Sequence, residues 1–165
     1  MSLDYLFSRP DRVWAFTLEH LSLSLTAIAV ALSITLPLGI LAARRREIAL
    51  PLLALLGAVY TVPSLAFLAF LIPVLGIGRL PAVVVLAAYA QLFLVRNIVT
   101  GLGGVTAATL EAARGVGMTP WQAFRLVRWP LALPVMIAGL RTAVVTTISL
   151  ATVAAWIDAG GLGTL

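Results

Sequence analysis

Four long apolar stretches, separated by short polar segments, dominate the chain. They cover about residues 21–43, 48–74, 80–96 and 131–157. A helix needs roughly 20 apolar residues to cross a hydrocarbon core of about 30 Å. The third stretch is short and ends at Arg96, whose long side chain can reach an interface if the helix continues beyond it. The pattern predicts an all-α, polytopic membrane protein with four spans in one transmembrane domain, residues 1–165.

Prolines interrupt the second stretch at Pro51, Pro63 and Pro73. A proline within a span frees backbone carbonyls that a transport pathway can use, so we expect a kink at Pro63. The first stretch is longer than the apolar run of roughly 7–15 residues found in a signal peptide. The segment before it is mixed in charge rather than basic, and we therefore interpret the first stretch as a retained helix.

The composition limits what the chain can do alone. Hydrophobic residues make up 62% of it and charged residues 10%, with a mean hydropathy of +1.11, whereas soluble domains carry roughly 25% charged residues. No separate soluble domain fits, so ATP hydrolysis would need a partner. With no cysteine and only one histidine, His20, the chain has no disulfide or thiolate site and too few ligands for a metal centre.

The net charge of +5 comes from arginines in short loops, which indicates topology signals and not a nucleic-acid-binding face. Seven arginines follow the first and third stretches, and only three lie in the N-terminal segment and near residues 76–80. By the positive-inside rule the connection 101–130 lies in the cytoplasm and the N-terminus lies outside. The seven are Arg44, Arg45, Arg46, Arg96, Arg114, Arg125 and Arg128; the three are Arg9, Arg12 and Arg79.

The connection 101–130 is too long for a plain turn and predicts two short helices with a hinge. Thr106 is placed to cap the first helix, and Gly115 and Gly117 to end it, because glycine readily adopts a left-handed conformation. Thr119 then precedes a proline at the first helical position and a glutamine at the third, which is a capping-box pattern.

Trp121 and Phe124 lie on one side of the second predicted helix. Two aromatics on a short helix between membrane spans are typical of a knob that docks into a partner's groove. They are equally typical of an interfacial helix whose aromatics rest among lipid headgroups. The residues alone leave both interpretations open.

The same segment carries a spaced motif. Glu111-Ala112-Ala113 is followed by Gly117, Val127 and Pro130 at the spacing of the EAA loop, so the chain resembles ABC importer permeases. Trp129 stands where leucine is usual. The resemblance implies that the loop docks on the ATPase subunit and transmits its closure to the membrane helices. The residues it assigns to that coupling are Glu111, Ala112, Ala113, Gly117, Met118, Thr119, Trp121, Phe124, Val127 and Pro130.

Further segments resemble the osmoprotectant (glycine betaine, carnitine, choline) branch of type I ABC importer permeases. They are Tyr-Thr-Val-Pro-Ser-Leu-Ala at 60–66, Leu-Gly-Ile-Gly at 75–78, Val-Arg-Asn at 95–97 and Ala-Gly-Gly-Leu-Gly at 159–163. Members usually have one more helix after the last segment, so we expect that the chain, which ends at Leu165, is truncated.

The resemblance also implies function and partners. It predicts a permease of a prokaryotic inner membrane that moves a small compatible solute by alternating access and does no covalent chemistry. The expected partners are an ATPase dimer that holds ATP-Mg, a second identical or paralogous permease and an extracytoplasmic binding protein. No cofactor is expected on this chain. An amino acid such as methionine is the alternative cargo, and a secondary transporter or channel fragment is a further alternative, although we find no internal repeat.

Polar residues within the stretches are candidates for the transport pathway: Thr61, Ser64, Gln91, Thr146 and Ser149. Small hydroxyl residues suit close helix packing as well as a weakly polar pathway, so the pattern does not separate the two roles. Arg141 lies in the fourth stretch, seven residues beyond Pro134. We expect it to reach towards the cytoplasmic interface, with a functional role as the alternative.

Overall fold

The computed structural model describes residues 9–165, and every regular element in that range is helical, which confirms the predicted class. The elements are α1 (Pro10–Arg44), α2 (Arg46–Thr61), α3 (Ser64–Leu75), α4 (Arg79–Gly103), α5 (Ala107–Gly115) and α6 (Pro120–Ala151), then 3-10 turns at Val153–Ile157 and Leu162–Thr164. Three helices, α1, α4 and α6, are long and apolar enough to cross a membrane. The bent pair α2 and α3 gives a fourth crossing if it is counted as one span. The first part of the predicted outer N-terminal segment, residues 1–8, lies outside the described residues.

Helix α1 is longer than the stretch 21–43 predicted from the apolar pattern. It spans 35 residues and begins at Pro10, with Asp11 in its first turn. Proline is favoured at the first helical position, and a carboxylate there interacts well with the helix dipole. Apolar length therefore underestimated the helix, because its first turns are polar and its start coincides with Pro10 and Asp11.

The stretch 48–74 is not one kinked helix. Helices α2 and α3 meet at an angle of 94°, and Val62 and Pro63 between them are extended, with ψ values of 128° and 134°. The residue before a proline avoids the α conformation because the proline ring crowds it, so Pro63 produces a break. The carbonyl of Val62 accepts a hydrogen bond from the Tyr89 hydroxyl at 2.5 Å. That carbonyl is therefore used within the fold.

Helix α4 is the centre of the bundle. It packs against α1 and α6 along its length, and most of its residues are buried. It continues to Gly103, which confirms the expected extension past Arg96. Glycines on its neighbours permit close approach: a Cβ on Gly39 would meet Ile98, and one on Gly139 would meet Asn97. Small residues at such crossings let membrane helices pack backbone to backbone.

Helix α6 differs from the predicted fourth span, 131–157, at both ends. It begins at Pro120 and runs to Ala151, so the second predicted short helix is its first turn. A π-helical turn at Phe124–Arg128 keeps the two parts continuous. At the other end, the Thr152 hydroxyl bonds to the carbonyl of Ser149 at 2.7 Å. Such local side-chain bonds compete with the helical ladder, and the chain tightens into the 3-10 turn Val153–Ile157.

Candidate functional site: the coupling segment and the polar faces of the bundle

Residues 104–130, here called the coupling segment, begin after α4 and include α5 and the first turns of α6. The side chain of Thr106 accepts a bond from the backbone N–H of Thr109, which confirms the predicted cap of α5. Thr119 and Gln122 form the predicted capping box: the Thr119 N–H donates to Gln122 Oε1 at 2.8 Å, and the Gln122 N–H donates to Thr119 Oγ1 at 3.3 Å. Both helix starts are therefore fixed by local sequence.

A Schellman motif ends α5. The N–H of Met118 donates to the carbonyl of Ala113 at 3.1 Å, and the N–H of Gly117 donates to that of Arg114 at 2.9 Å. Gly117 has φ +81°, a value that side chains disfavour. Gly115 is the last residue of α5 and has no positive φ, so Gly117 alone makes the reversal.

The Glu-Ala-Ala residues divide between surface and contact. Glu111 and Ala112 are exposed on α5, whereas Ala113 is buried. Ala123, in the first turn of α6, is buried as well, and α5 contacts this part of α6. Small side chains at these two positions permit the close approach of the two helices. In this motif the carboxylate of Glu111 is therefore exposed, and the methyl group of Ala113 packs against α6.

The two aromatics of the coupling segment have different environments. Trp121 is 63% exposed and stacks on Phe124, with ring centroids 5.8 Å apart. Phe124 is half-buried, lies 5.9 Å from Trp129, and packs on the apolar cluster of Ile98, Leu102 and Ala132. The expectation of two exposed aromatics is thus wrong for Phe124. Its position follows from the helix continuing into the bundle, which turns that side chain inward.

Arginines join the coupling segment to the ends of other helices. The Arg44 guanidinium, at the end of α1, lies 5.9 Å from the centroid of the Phe124 ring, a cation–π distance. Arg128 donates from Nε to the carbonyl of Leu102 at 2.9 Å. With Arg114 these arginines border a concavity of about 460 Å³ beside Trp121. The segment therefore contacts the ends of both α1 and α4.

The π-helical turn accommodates the end of the motif. Val127 lies within it, and the N–H of Trp129 donates to the carbonyl of Phe124, five residues earlier. Pro130 follows, where a regular helix would lose one bond and suffer a ring clash. A wider turn relieves that clash, and such turns often occur at functional positions.

Among the predicted pathway residues, Gln91 is placed in the packing of the bundle. It is buried; its Nε2 donates to the carbonyl of Ala31 at 3.1 Å, and its Oε1 accepts a bond from Thr35. Gln91 borders an apolar cavity of about 410 Å³ between α1, α2 and α4. Through these two bonds Gln91 joins α1 to α4. Gln91 gave a signal, because it is the only amide side chain in the stretch 80–96. Thr35 gave none, because the stretch 21–43 holds five hydroxyl residues.

Thr61 and Ser64 flank the break between α2 and α3. The exposed Thr61 bonds to its own helix at the carbonyl of Ala58, 2.7 Å away. Ser64 borders a small concavity of about 170 Å³ with Tyr60 and Tyr89. These two residues are therefore near each other but face different surroundings.

Thr146 and Ser149 lie on the open side of α6. Thr146 borders a concavity of about 640 Å³ that Arg141 and Thr142 also line. Ser149 is exposed, and its hydroxyl bonds to the carbonyl of Val145 at 2.9 Å. The hydroxyl residue of this stretch that is buried in the bundle is Thr147, which the sequence did not select.

A polar contact at the opposite end of the bundle was not predicted. His20 of α1 is 2% exposed, and its Nε2 lies 2.9 Å from the carbonyl of Ile148. Beside it, the Glu19 carboxylate accepts a bond from the N–H of Gly161 at 3.2 Å. A Cβ on Gly161 would lie 2.9 Å from the histidine Nδ1. The Ala-Gly-Gly-Leu-Gly segment is therefore held against α1 at a place where only glycine fits.

The comparisons agree with this geometry. Residues 35–165 match the family of binding-protein-dependent transport system inner membrane components. The chain is 44% identical over 145 residues to the glycine betaine/carnitine/choline transport system permease protein OpuCB of Bacillus subtilis, covering 88% of this chain and 67% of that protein. It is 40% identical over 169 residues to the osmoprotectant import permease protein OsmW of Salmonella typhimurium, covering 99% and 79%.

A solved structure shares the fold. The inward-facing MetNI methionine ABC transporter aligns with a TM-score of 0.74 at 26% identity, over 99% of this chain and 81% of that one. The family match covers most of the chain, and the similarity to OpuCB and OsmW covers two thirds or more of each of those proteins. The chain is an ABC importer permease subunit and belongs to the family of binding-protein-dependent transport system inner membrane components.

Proposed function

We propose that this chain moves a quaternary-amine compatible solute, such as glycine betaine, carnitine or choline, across the cytoplasmic membrane. The observation that carries the proposal is the similarity to a permease named for those solutes, at 44% identity, and to one named for osmoprotectants, at 40% identity. The short loop motifs shared with that branch support it, because they extend over most of the chain. No aromatic cage for the ammonium group is needed here if a separate binding protein captures the solute.

The proposed mechanism is alternating access driven by a partner ATPase that holds ATP-Mg. Glu111 and Trp121 would contact that ATPase, and their exposure supports this role. Phe124, packed on the cluster at the end of α4, and Arg128, bonded to Leu102, would carry the movement into the bundle. A ligand that binds two states unequally shifts their populations, and here ATP binding on the partner supplies that bias.

We also propose the assembly and its orientation. A second permease, identical or paralogous, completes the pathway, and a binding protein delivers the solute from outside. The coupling segment lies in the cytoplasm because the arginines cluster on its side of the membrane. Since the chain has no cysteine, single cysteines can report the orientation.

Ala108→Cys, exposed on α5, and Ile77→Cys, 68% exposed in the turn before α4, form a matched pair. Ile77 is preferable to Gly78, whose φ of +113° would strain any side chain. In intact cells a membrane-impermeant maleimide should label Ile77→Cys and leave Ala108→Cys unlabelled until the membrane is opened. Buried Val85→Cys should stay unlabelled in both conditions. Labelling of Ala108→Cys in intact cells would reverse the orientation.

The solute class is tested by uptake. The chain is expressed with the ATPase and binding protein from neighbouring genes, in a host without osmoprotectant importers. Radiolabelled glycine betaine, carnitine, choline and methionine are then compared. ATP-dependent uptake of at least one quaternary amine, without methionine uptake, is the expected result. Uptake of methionine alone would replace this proposal with the amino-acid alternative.

A further inference from the structure

Arg141 is the only charged residue in the membrane part of α6, residues 129–151. The helix is continuous from Pro120 to Ala151, so distance along it can be read from residue number. At ~1.5 Å per residue, Arg141 lies roughly 20 Å beyond Arg128 and roughly 15 Å before Ala151, where the α-helix ends. Asp158 follows after the 3-10 turn Val153–Ile157. If Arg128 and Asp158 mark the two ends of the span, Arg141 lies near its middle. That position is deeper than the interfacial one expected from the sequence.

The Arg141 side chain points away from the bundle. The residues of α6 that are buried against the other helices are Ala132, Gly139, Ala143, Thr147 and Ala151. Arg141 is two positions from both Gly139 and Ala143, which at ~100° per residue places it on the opposite side of α6. It is exposed there and lines the open concavity of about 640 Å³ with Thr142 and Thr146.

Within residues 129–151 of α6, Arg141 has no carboxylate beside it. The five acidic residues in the part of the chain that the structure describes all lie outside that stretch: Asp11, Glu19, Glu47, Glu111 and Asp158. An arginine facing hydrocarbon at mid-membrane is strongly disfavoured, and buried charges at this depth face a pathway or a bundle interior and find a counter-charge. At that depth a lipid phosphate is out of reach. A water-filled pathway on this side of α6 would provide a polar environment, and a solute passing along it would provide the counter-charge.

We propose that Arg141 binds the carboxylate of the transported solute during passage, with the hydroxyls of Thr142 and Thr146 beside it. The proposal rests on the proposed function and narrows it to solutes that carry a carboxylate next to a quaternary ammonium, in preference to quaternary amino alcohols. A guanidinium presents a planar fork that pairs with both carboxylate oxygens. If two permeases enclose the pathway about a two-fold axis, their arginines face each other, and an anionic group between them relieves the repulsion.

The surroundings of Arg141 favour weak, reversible binding of a solute. The other residues lining the concavity, among them Ile137 and Val145, are apolar. A site on a pathway must bind strongly enough to admit the solute and weakly enough to release it. One charged group, flanked by two hydroxyls and otherwise apolar walls, meets that condition. It also gives a role to Thr146, which the sequence had selected on polarity alone.

The test uses the complete transporter, with its ATPase and binding protein, in proteoliposomes. Glycine betaine and choline share the trimethylammonium group, and only the first has a carboxylate. Arg141→Gln should lower glycine betaine uptake by about tenfold or more while choline uptake changes less than about twofold. Arg141→Lys, which keeps the charge and loses the fork, should be intermediate. The exposed Arg12→Gln on α1 is the matched control and should leave both unchanged.

Each other result overturns the assignment. Equal loss of both solutes, with normal complex yield, would make Arg141 a structural residue, and unchanged uptake of both would remove it from the pathway. A wild-type transporter that moves choline and no carboxylate solute would refute the inference and leave the proposed function standing. A wild-type transporter that moves neither would refute both. Solute affinities of the isolated binding protein, measured in parallel, exclude selectivity that arises before the membrane.

Discussion

Arg128 donates a hydrogen bond from Nε to the main-chain oxygen of Leu102, 2.9 Å away, and so joins the start of α6 to the end of α4. The last four carbonyls of a helix have no partner within it, and Leu102 is next to last in α4. An arginine at this end of a helix also interacts well with the helix dipole. The contact therefore completes α4 with a side chain from the coupling segment.

Removing that donor should cost stability and coupling together. Arg128→Met leaves the Leu102 carbonyl without its partner, and we expect a loss of about 1–3 kcal/mol. Thermal unfolding of the purified permease should show it as a lower midpoint. Arg125→Met, three residues away and exposed, is the control and should leave the midpoint unchanged. Equal effects of the two substitutions would mean that the Leu102 contact contributes nothing specific.

Gly117→Val should uncouple ATP hydrolysis from transport. At φ +81° a β-branched residue is strained by about 1–3 kcal/mol, although nothing lies within 4 Å of the added Cβ. The fault is thus one of backbone conformation and not of crowding. Gly115→Ala, two residues earlier in ordinary helical conformation, should be neutral. The measurement is ATP hydrolysed per solute moved; an unchanged ratio in Gly117→Val would show that the reversal is not part of coupling.

Trp121 and Phe124 should separate docking from folding. Trp121→Ala removes an exposed ring, and at an interface such an aromatic anchor is worth about 2 kcal/mol or more. We expect the ATPase to be lost from the purified complex while the permease midpoint holds. Phe124→Ala should instead lower the midpoint, because the ring packs on the cluster of Ile98, Leu102 and Ala132. Full ATPase retention in Trp121→Ala would favour an aromatic that rests among lipid headgroups.

Thr35 and Gln91 should behave as a coupled pair. Gln91→Leu alone leaves the Thr35 hydroxyl without its acceptor, and Thr35→Val alone leaves the amide oxygen without its donor, each at about 1–3 kcal/mol. Together they replace the polar contact by apolar packing, so the double variant should be less destabilised than the sum of the two. The readouts are unfolding midpoint and uptake. Strictly additive midpoints would show that the two side chains do not interact. A change of solute preference in Gln91→Leu would show that Gln91 belongs to the pathway.

The features that the sequence predicts well are those fixed within a few residues. The caps at Thr106 and Thr119 and the left-handed Gly117 follow from local backbone chemistry, which no distant contact alters. The apolar length of a stretch identifies it as a membrane helix. Because the third stretch was too short to span, its extension past Arg96 was expected, and α4 shows it.

The features that it did not predict depend on where helices meet. Phe124 carries the same signal as Trp121 until α6 is known to continue into the bundle, at which point one ring turns inward. Gln91 is polar in an apolar stretch, and only the position of α1 shows that Thr35 satisfies it.

The π-helical turn at Phe124–Arg128 divides α6 into two α-helical parts without interrupting the helix. The N–H of Trp129 now bonds five residues back, to Phe124; moving it to the carbonyl of Arg125 would restore regular α geometry. Compared with a regular helix, the five-residue step turns everything beyond it by ~100° relative to Trp121. The one extra residue therefore sets the direction in which Arg141 faces relative to the exposed Trp121.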